Sequence, residues 1–502
     1  MSAQLPPGAH VAAVCPLDCP DACSLDVTVS EGRVTAIGGS RVNPITQGFI
    51  CEKVRRYPRH VHGEHRVLYP RVRSGAKGEG RFRRASWDEA LKLVAGKLLE
   101  VRARQGGEAI LAVSYGGSNG YLSQDNTDAR LFRRLGASRL ARTVCAAPSG
   151  SASMGLTGKM PGVPIQDYAH ANCIVLWGVN PSVSGIHLLP YVRQAVRRGA
   201  KLVVLDPRRT KLALQADLHL PLYPGTDLPV ALSVIRWLFE SGRVATDFLD
   251  RHTTGAGELA RRAGAWTFER AAEVARVSAA DLERFALMYA QASPAVVRCG
   301  WGLERNRNGG SAIAAVLALA AVAGKFGVRG GGYTMSNAKA FDIDPLAAVQ
   351  EPLPSTREIN MNRTGEALLS RENPIGLLFV YNCNPLSTLP AQDKVRRGLE
   401  REDLFTVVFD PVMTNTALYA DVVLPATTFL ERDELSRGYG AMVLQRSRPA
   451  IPPVGESRPN HEVFAELTRR TGLCRESEPE TAEEIAAALL ASSREAEALA
   501  SA

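Results

Sequence analysis

Apolar residues fall along this chain in two rhythms. Four short runs, Cys173 to Trp177, Leu202 to Leu205, Ile375 to Tyr381 and Leu404 to Phe409, show no polar alternation, the pattern of parallel strands buried on both faces. Between and beyond them, apolar positions recur at helical spacing. They predict helices at Leu188 to Arg198, Val230 to Ser241, Phe268 to Arg276, Ala279 to Gln291, Lys394 to Glu400 and His461 to Thr471. An earlier amphipathic helix is predicted from Ser86 to about Arg104, opened by Ser86 and Glu89 at capping-box spacing, and a strand from Ala109 to Ser114 follows it. Strand–helix–strand alternation of this kind predicts an α/β fold built of βαβ units. Residues 10–70 differ, with short strands at Leu25 to Val29 and Arg33 to Gly38 between turns, and predict a small β-rich module. The most apolar stretch, Ala312 to Ala323, is too short to span a bilayer and predicts a buried helix. From Glu476 an Ala/Glu-rich tail predicts an exposed helix or a frayed end.

The two strand–helix–strand units match each other at a constant separation. Asn180-Pro181 corresponds to Asn384-Pro385, Asp206-Pro207 to Asp410-Pro411, and Thr210 to Thr414. Ala216-Asp217 with Leu220-Pro221 corresponds to Ala420-Asp421 with Leu424-Pro425. Asn-Pro and Asp-Pro are common strand ends, but here the spacing agrees as well as the residue types. Two pseudo-equivalent nucleotide sites follow, each with an Asn at one strand end and an Asp at the next. Neither unit carries G-x-G-x-x-G, which disfavours an ordinary NAD site.

Candidate chemistry concentrates at the start. Cys15, Cys19 and Cys23 stand at every fourth position in Cys15-Pro-Leu-Asp-Cys19-Pro-Asp-Ala-Cys23, and Cys51 follows alone. Four thiolates suit an iron–sulfur cluster or a structural zinc, and three cysteines in one tight loop favour the [4Fe–4S] cluster. Nine cysteines in 502 residues do not read as a disulfide framework. The net charge of +9 comes largely from arginine, with no basic run long enough to argue for nucleic acid. It suits a chain that holds anionic phosphates. Lys53, Arg55, Arg56 and Arg59, with His60, His62 and His65, end the cysteine module, and the histidines read as surface residues. Met1 to Val14 shows no signal peptide, so a reducing cytoplasm is expected.

A cysteine module followed by two dinucleotide-type units resembles the dimethyl sulfoxide reductase family, the bis-(molybdopterin guanine dinucleotide) oxidoreductases of molybdenum or tungsten. Trp177-Gly178-Val179-Asn180-Pro181 is similar to its W-G-x-N-P element and Pro224-Gly225-Thr226-Asp227 to its P-G-T-D loop. Ala420-Asp421-Val422-Val423-Leu424-Pro425 followed by Phe429-Leu430-Glu431 resembles its A-D-V-V-L-P…E segment. The resemblance runs through nearly the whole chain in family order.

The resemblance implies a fold and a set of roles. The fold would be an N-terminal [4Fe–4S] module (10–70), then a first pterin-binding α/β domain (71–144 with 335–455) and a second (145–334). A helical segment (456–502) would lead to a C-terminal cap domain that begins about where this chain stops, which suggests a fragment. Cys145, in Thr143-Val144-Cys145-Ala146-Ala147-Pro148-Ser149, would ligate the metal, with Ser149 the competing candidate. Lys53 would lie between cluster and pterin. Asn119, Trp177, Gly178, Asn180, Asp206, Arg208, Gly225, Thr226, Asp227, Gly302, Asn384, Asp410 and Thr414 would hold the two dinucleotides. The implied activity is two-electron redox, by oxygen-atom or hydride-type transfer, on a small oxyanion or similar substrate, with an electron-transfer subunit as a possible partner. Where the formate dehydrogenase branch has a histidine, Ala146 follows the ligand. A non-catalytic iron–sulfur subunit and a zinc-stabilised nucleotide-binding protein are the alternatives.

Overall fold

The computed structural model describes residues 8–495. At the N-terminus the strands Ala9–Val14, Ser24–Ser30 and Arg33–Gly39 form an antiparallel sheet. Ser30 pairs with Arg33 across a two-residue turn, and Glu31 and Gly32 both take positive φ (50° and 71°), as the twist of a tight hairpin demands.

Two larger sheets follow. The first has five parallel strands in the order Leu218–Leu220, Lys201–Leu205, Cys173–Trp177, Ala295–Cys299, Gly332–Thr334. Its central strand is buried throughout, and the period of two decides what each residue meets. Cys173, Val175 and Trp177 join the core under helices Asp227–Glu240, Ala279–Gln291 and Gly309–Val322, whereas Ile174 and Leu176 face helix Leu189–Arg197. Each such apolar side chain contributes about 1.5–3 kcal/mol on burial.

The second sheet runs Phe82–Arg84, Arg71–Arg73, Val422–Pro425, Phe405–Asp410, Leu377–Tyr381, Ile110–Ser114. Its last four strands are parallel and its first two antiparallel. Leu377, Phe379 and Tyr381 pack under helices Trp87–Gln105 and Asn460–Arg470, with Leu378 and Val380 on the opposite face. Ser86 caps the first of these helices by accepting from the Glu89 backbone N–H at 3.1 Å.

The internal repeat is structural. Trp177 pairs with Leu205 in one sheet, and Tyr381 with Phe409 at the same register in the other. The Asp217 carboxylate accepts from the Leu202 N–H at 2.9 Å, and that of Asp421 from the matching Thr406 N–H at 2.7 Å. The protein is therefore α/β, with a small β-rich module ahead of two Rossmann-like units related by a pseudo-repeat.

Two expectations need correction. The tail beyond Glu476 is not an exposed helix: helix Ala482–Ala491, opened by a Thr481/Glu484 capping box, buries Ile485, Ala486 and Leu489 against Tyr121, Leu122 and Leu435. Residues 496–502 of that tail lie outside the described residues. Nor are the three histidines alike. His65 is exposed, but His60 and His62 are half-buried, because the helix Pro58–His62 turns back onto the strand Arg33–Gly39, where His62 Nε2 accepts from the Val34 N–H at 3.0 Å. Among the described residues, no helix is long and apolar enough to cross a membrane.

Candidate active site

The cysteine loop is held at both ends by backbone. The Cys15 N–H donates to the Cys23 carbonyl at 2.9 Å, and Ala22 takes a positive φ of 45° so that the loop can close. Cys51 sits at the N-cap of the helix Glu52–Arg55. Cys15 and Cys23 are buried, Cys19 and Cys51 half-buried, and none forms a disulfide. Burial, with Cys19 and Cys51 adding to it, pushes Cys15 up to about 12, and burial followed by Asp21 pushes Cys19 to about 11 and Cys23 higher still. Buried thiols of this kind give up their protons when metal replaces them, and with Cys51 beside them the donor set fits a [4Fe–4S] cluster.

Beside the loop lies a cavity of about 850 Å³. Lys53 lines it from the cysteine module, and its charge also draws the Cys15 thiol down. Cys145, two residues before the helix Ala147–Thr157, lines it from another side. The Arg305 guanidinium donates to the Cys145 sulfur (Nη2–Sγ 3.4 Å) and through Nη1 to the Val144 carbonyl. Tyr115 also reaches this sulfur, and burial, reinforced by Cys145, raises its hydroxyl well above the ordinary phenol value. Ser149 behaves differently. It is fully buried, and both its N–H (3.2 Å) and its hydroxyl bond the Glu304 carboxylate, turned from the cavity. Of the two ligand candidates, Cys145 alone faces open space.

The second repeat unit presents Asn384, Asp410 and Thr414 to the same cavity. Asp410 Oδ1 accepts from the Val412 N–H at 3.0 Å, yet burial pushes its carboxyl up to about 7. Asn384 Oδ1 accepts from the Thr416 hydroxyl at 2.7 Å. In the first unit Asp206 repeats the aspartate bond, Oδ1 accepting from the Arg208 N–H at 2.8 Å, whereas Asn180 Oδ1 accepts locally, from the Ser182 N–H at 3.3 Å. Neither Asn180 nor Asp206 lines the cavity of Cys145.

Several residues grouped by the sequence meet each other instead of open space. The Trp177 indole is wholly buried and donates to Asp227 at 2.8 Å, so only its backbone can belong to a ligand cradle. Gly178 and Gly302 are pressed together, since a Cβ on Gly302 would lie 2.9 Å from the Gly178 carbonyl and one on Gly178 2.3 Å from Leu303. Gly225, at a positive φ of 86°, abuts Asn306, and the Thr226 hydroxyl turns back onto the Tyr223 carbonyl at 2.6 Å. Asn119 ties the strand end to the cysteine loop through Pro16 O (2.6 Å) and Asp18 (3.1 Å). Sequence reasoning assigned no role to Arg305, Tyr115 or Glu304. Arg305 stands three residues after Gly302, and that proximity was the available signal.

Comparison with known proteins accounts for this arrangement. The molybdopterin oxidoreductase family model matches residues 66–470, and the model of its Fe4S4 domain matches residues 9–63. The probable oxidoreductase YoaE of Bacillus subtilis is 35% identical over 462 residues, spanning 91% of this chain and 68% of the relative. The F420-dependent formate dehydrogenase 2 subunit alpha of Methanococcus maripaludis is 27% identical, spanning 94% of this chain and 72% of its own. Among solved structures, acetylene hydratase from Pelobacter acetylenicus superposes with a TM-score of 0.78 at 25% identity, covering 92% of this chain and 69% of that one. The chain belongs to the molybdopterin oxidoreductase family and carries that family's Fe4S4 domain at its N-terminal end.

Proposed function

We propose that this protein carries out two-electron redox on a small anionic substrate, using a molybdenum or tungsten ion held by Cys145 and two molybdopterin guanine dinucleotides. One observation carries the reading: the Cys145 sulfur faces a half-open cavity with the Arg305 guanidinium 3.4 Å away. A thiolate suits a metal already surrounded by sulfur. When bound, such a centre supplies electron-pair chemistry that no side chain can perform. The chain supplies ligation, orientation and charge. Arg305 offers a planar cation that matches an oxyanion, and the Tyr115 hydroxyl, kept protonated by burial, is a donor beside the same sulfur. Lys53 lines the cavity and acts on Cys15, which makes it the bridge between the two centres.

In this reading Asn384, Asp410 and Thr414 hold one dinucleotide, and Asn180, Asp206, Arg208, Gly225 and Thr226 the other. Trp177, Asp227, Gly178, Gly302 and Asn119 shape the backbone around them. The partition into residues 10–70, 71–144 with 335–455, 145–334 and 456–502 belongs to the same proposal, as does a reducing, cytoplasmic setting with an electron-transfer partner. Relatives named for nitrate and formate support an anionic substrate, while Ala146 argues against formate.

Metal analysis of the purified chain tests this. The expected result is molybdenum or tungsten near one per chain, two pterins and about four iron atoms. Iron alone would make the protein an electron carrier and end the reading. Losing an outer partner of a metal ligand costs roughly 10–100-fold, so Cys145→Ala should reduce dye-linked turnover by more than about 100-fold with the cluster spectrum intact.

A further inference from the structure

His187 has no role in the site described above, yet it is completely buried against the cysteine loop. It lies in the short turn Ile186–Leu188 of the first repeat unit and stacks on Phe49 of the cysteine module, with ring centroids 4.3 Å apart. Its two nitrogens face four acceptors. Nε2 lies 3.1 Å from the Thr46 carbonyl and 3.0 Å from that of Phe49. Nδ1 lies 3.0 Å from Asp21 Oδ2 and 3.8 Å from the Cys23 sulfur. Carbonyl oxygens only accept, so Nε2 carries a hydrogen. A carboxylate only accepts, so a hydrogen lies between Nδ1 and Asp21 Oδ2, within reach of the Cys23 sulfur. The same Asp21 oxygen accepts from the His187 backbone N–H at 3.3 Å, which fixes the pair in place.

Asp21, Cys23 and His187 present ligand atoms within 4.8 Å of one another. They do not form a separate metal site, because both imidazole nitrogens already face protein acceptors and Cys23 belongs to the set of four cysteines.

We propose that the buried, hydrogen-bonded pair Asp21–His187 sets the reduction potential of the cluster through Cys23. The hydrogen on the Nδ1 side, within reach of the Cys23 sulfur, favours the reduced, more negative cluster, while the Asp21 carboxylate opposes it. Both groups act at low dielectric and short range, where water screens them little. Hydrogen bonds to cluster sulfurs and net charge nearby are recognised determinants of cluster potential. The proposal rests on the [4Fe–4S] reading of Cys15, Cys19, Cys23 and Cys51.

The test is a redox titration of the full chain, followed by electron paramagnetic resonance of the reduced cluster at one fixed pH. Asp21→Asn removes the opposing carboxylate and should raise the potential. His187→Gln leaves the carboxylate unopposed and should lower it. At the midpoint of the unsubstituted protein, the reduced-to-oxidised ratio should move about tenfold in each direction, which for one electron is about 59 mV. Shifts below twofold, or in the same direction for both variants, would overturn the proposal. A structural brace alone would give cluster loss without opposite shifts, so loss of cluster iron in both variants also overturns it. Absence of any cluster signal from the unsubstituted chain after reconstitution would refute the cluster reading, which is a separate failure.

Discussion

The two repeat units carry the same local bonds in different surroundings. Thr210 and Thr414 each accept from a backbone N–H three residues on, Ala213 and Ala417, at 3.1 Å in both units. Asp206 and Asp410 each accept from the N–H two residues on. The second unit, however, opens into the cavity that holds Cys145 and Lys53, and the first does not. Strand-end chemistry is thus duplicated, while position relative to the cysteine module is not. If each unit holds one dinucleotide, the second is the one wired between the cluster and the metal. The units are also braced by different forces. The second is tied to the segment just beyond the Fe4S4 domain by the ion pair Arg66–Glu431 (2.7 Å), both side chains essentially inaccessible. The first relies on the Trp177–Asp227 hydrogen bond.

The largest effect on this contrast should come from Arg66→Met. It would leave Glu431 buried with only the N–H groups of Thr428 (2.6 Å) and Val454 (2.7 Å) and the Ser457 hydroxyl as partners. Breaking one side of a buried pair costs about 3–5 kcal/mol. Urea unfolding should show a loss in that range, and a loss below about 1 kcal/mol would mean the pair behaves like a surface bridge.

Trp177→Phe should act on the other unit and cost less. Asp227, already pushed up by burial, would lose its side-chain donor. An unsatisfied buried acceptor costs about 1–3 kcal/mol, readable as a lower urea midpoint. An unchanged midpoint would show that the first unit is not held by this bond.

Much of this was legible in the chain. Cys173 to Trp177 and Leu404 to Phe409 announce buried parallel strands because no polar alternation and no charge interrupts them, and Asn180 with Asn384 announces the repeat because spacing survives where most side chains differ. Residues whose meaning depends on distant partners were not legible. His187 meets Asp21 and Phe49 only after folding, Arg305 meets Cys145 only across the cavity, and the helix Ala482–Ala491 looks exposed until Tyr121 and Leu435 arrive. The helices Thr246–His252 and Ala256–Ala263 escaped for a local reason: they are only about two turns long, so no long apolar period marks them.

Asp410 gives the second unit a pH response. Its folded value near 7 stands above the ordinary 3.8, so between about pH 4 and 7 the unfolded chain has released a proton that the folded chain keeps. Stability therefore falls as pH rises through that window and levels off above it. One pKa unit is worth about 1.4 kcal/mol, and water in the cavity screens part of the shift, so Asp410→Asn should gain about 1–2 kcal/mol at pH 8 and flatten the fall. Thermal unfolding from pH 5 to 8 measures this. A fall of undiminished slope in the variant would assign it to another group.

The smallest effect is the most discriminating. Thr210→Ala and Thr414→Ala remove the same side-chain bond, at the same length, from matched positions in the two units. A net hydrogen bond of this type is worth about 0.5–1.5 kcal/mol. If the repeat is energetic as well as geometric, the two losses should agree to within about 0.5 kcal/mol, the usual margin for independent, non-contacting sites. Bound pterin should respond unequally, because Thr414 lines the cavity of Cys145 and Thr210 does not. Matched unfolding losses with a pterin deficit confined to Thr414→Ala would separate the fold's symmetry from the asymmetry of its use. Equal pterin loss in both would return the two units to full equivalence, and with it remove the reason for routing electrons past the second alone.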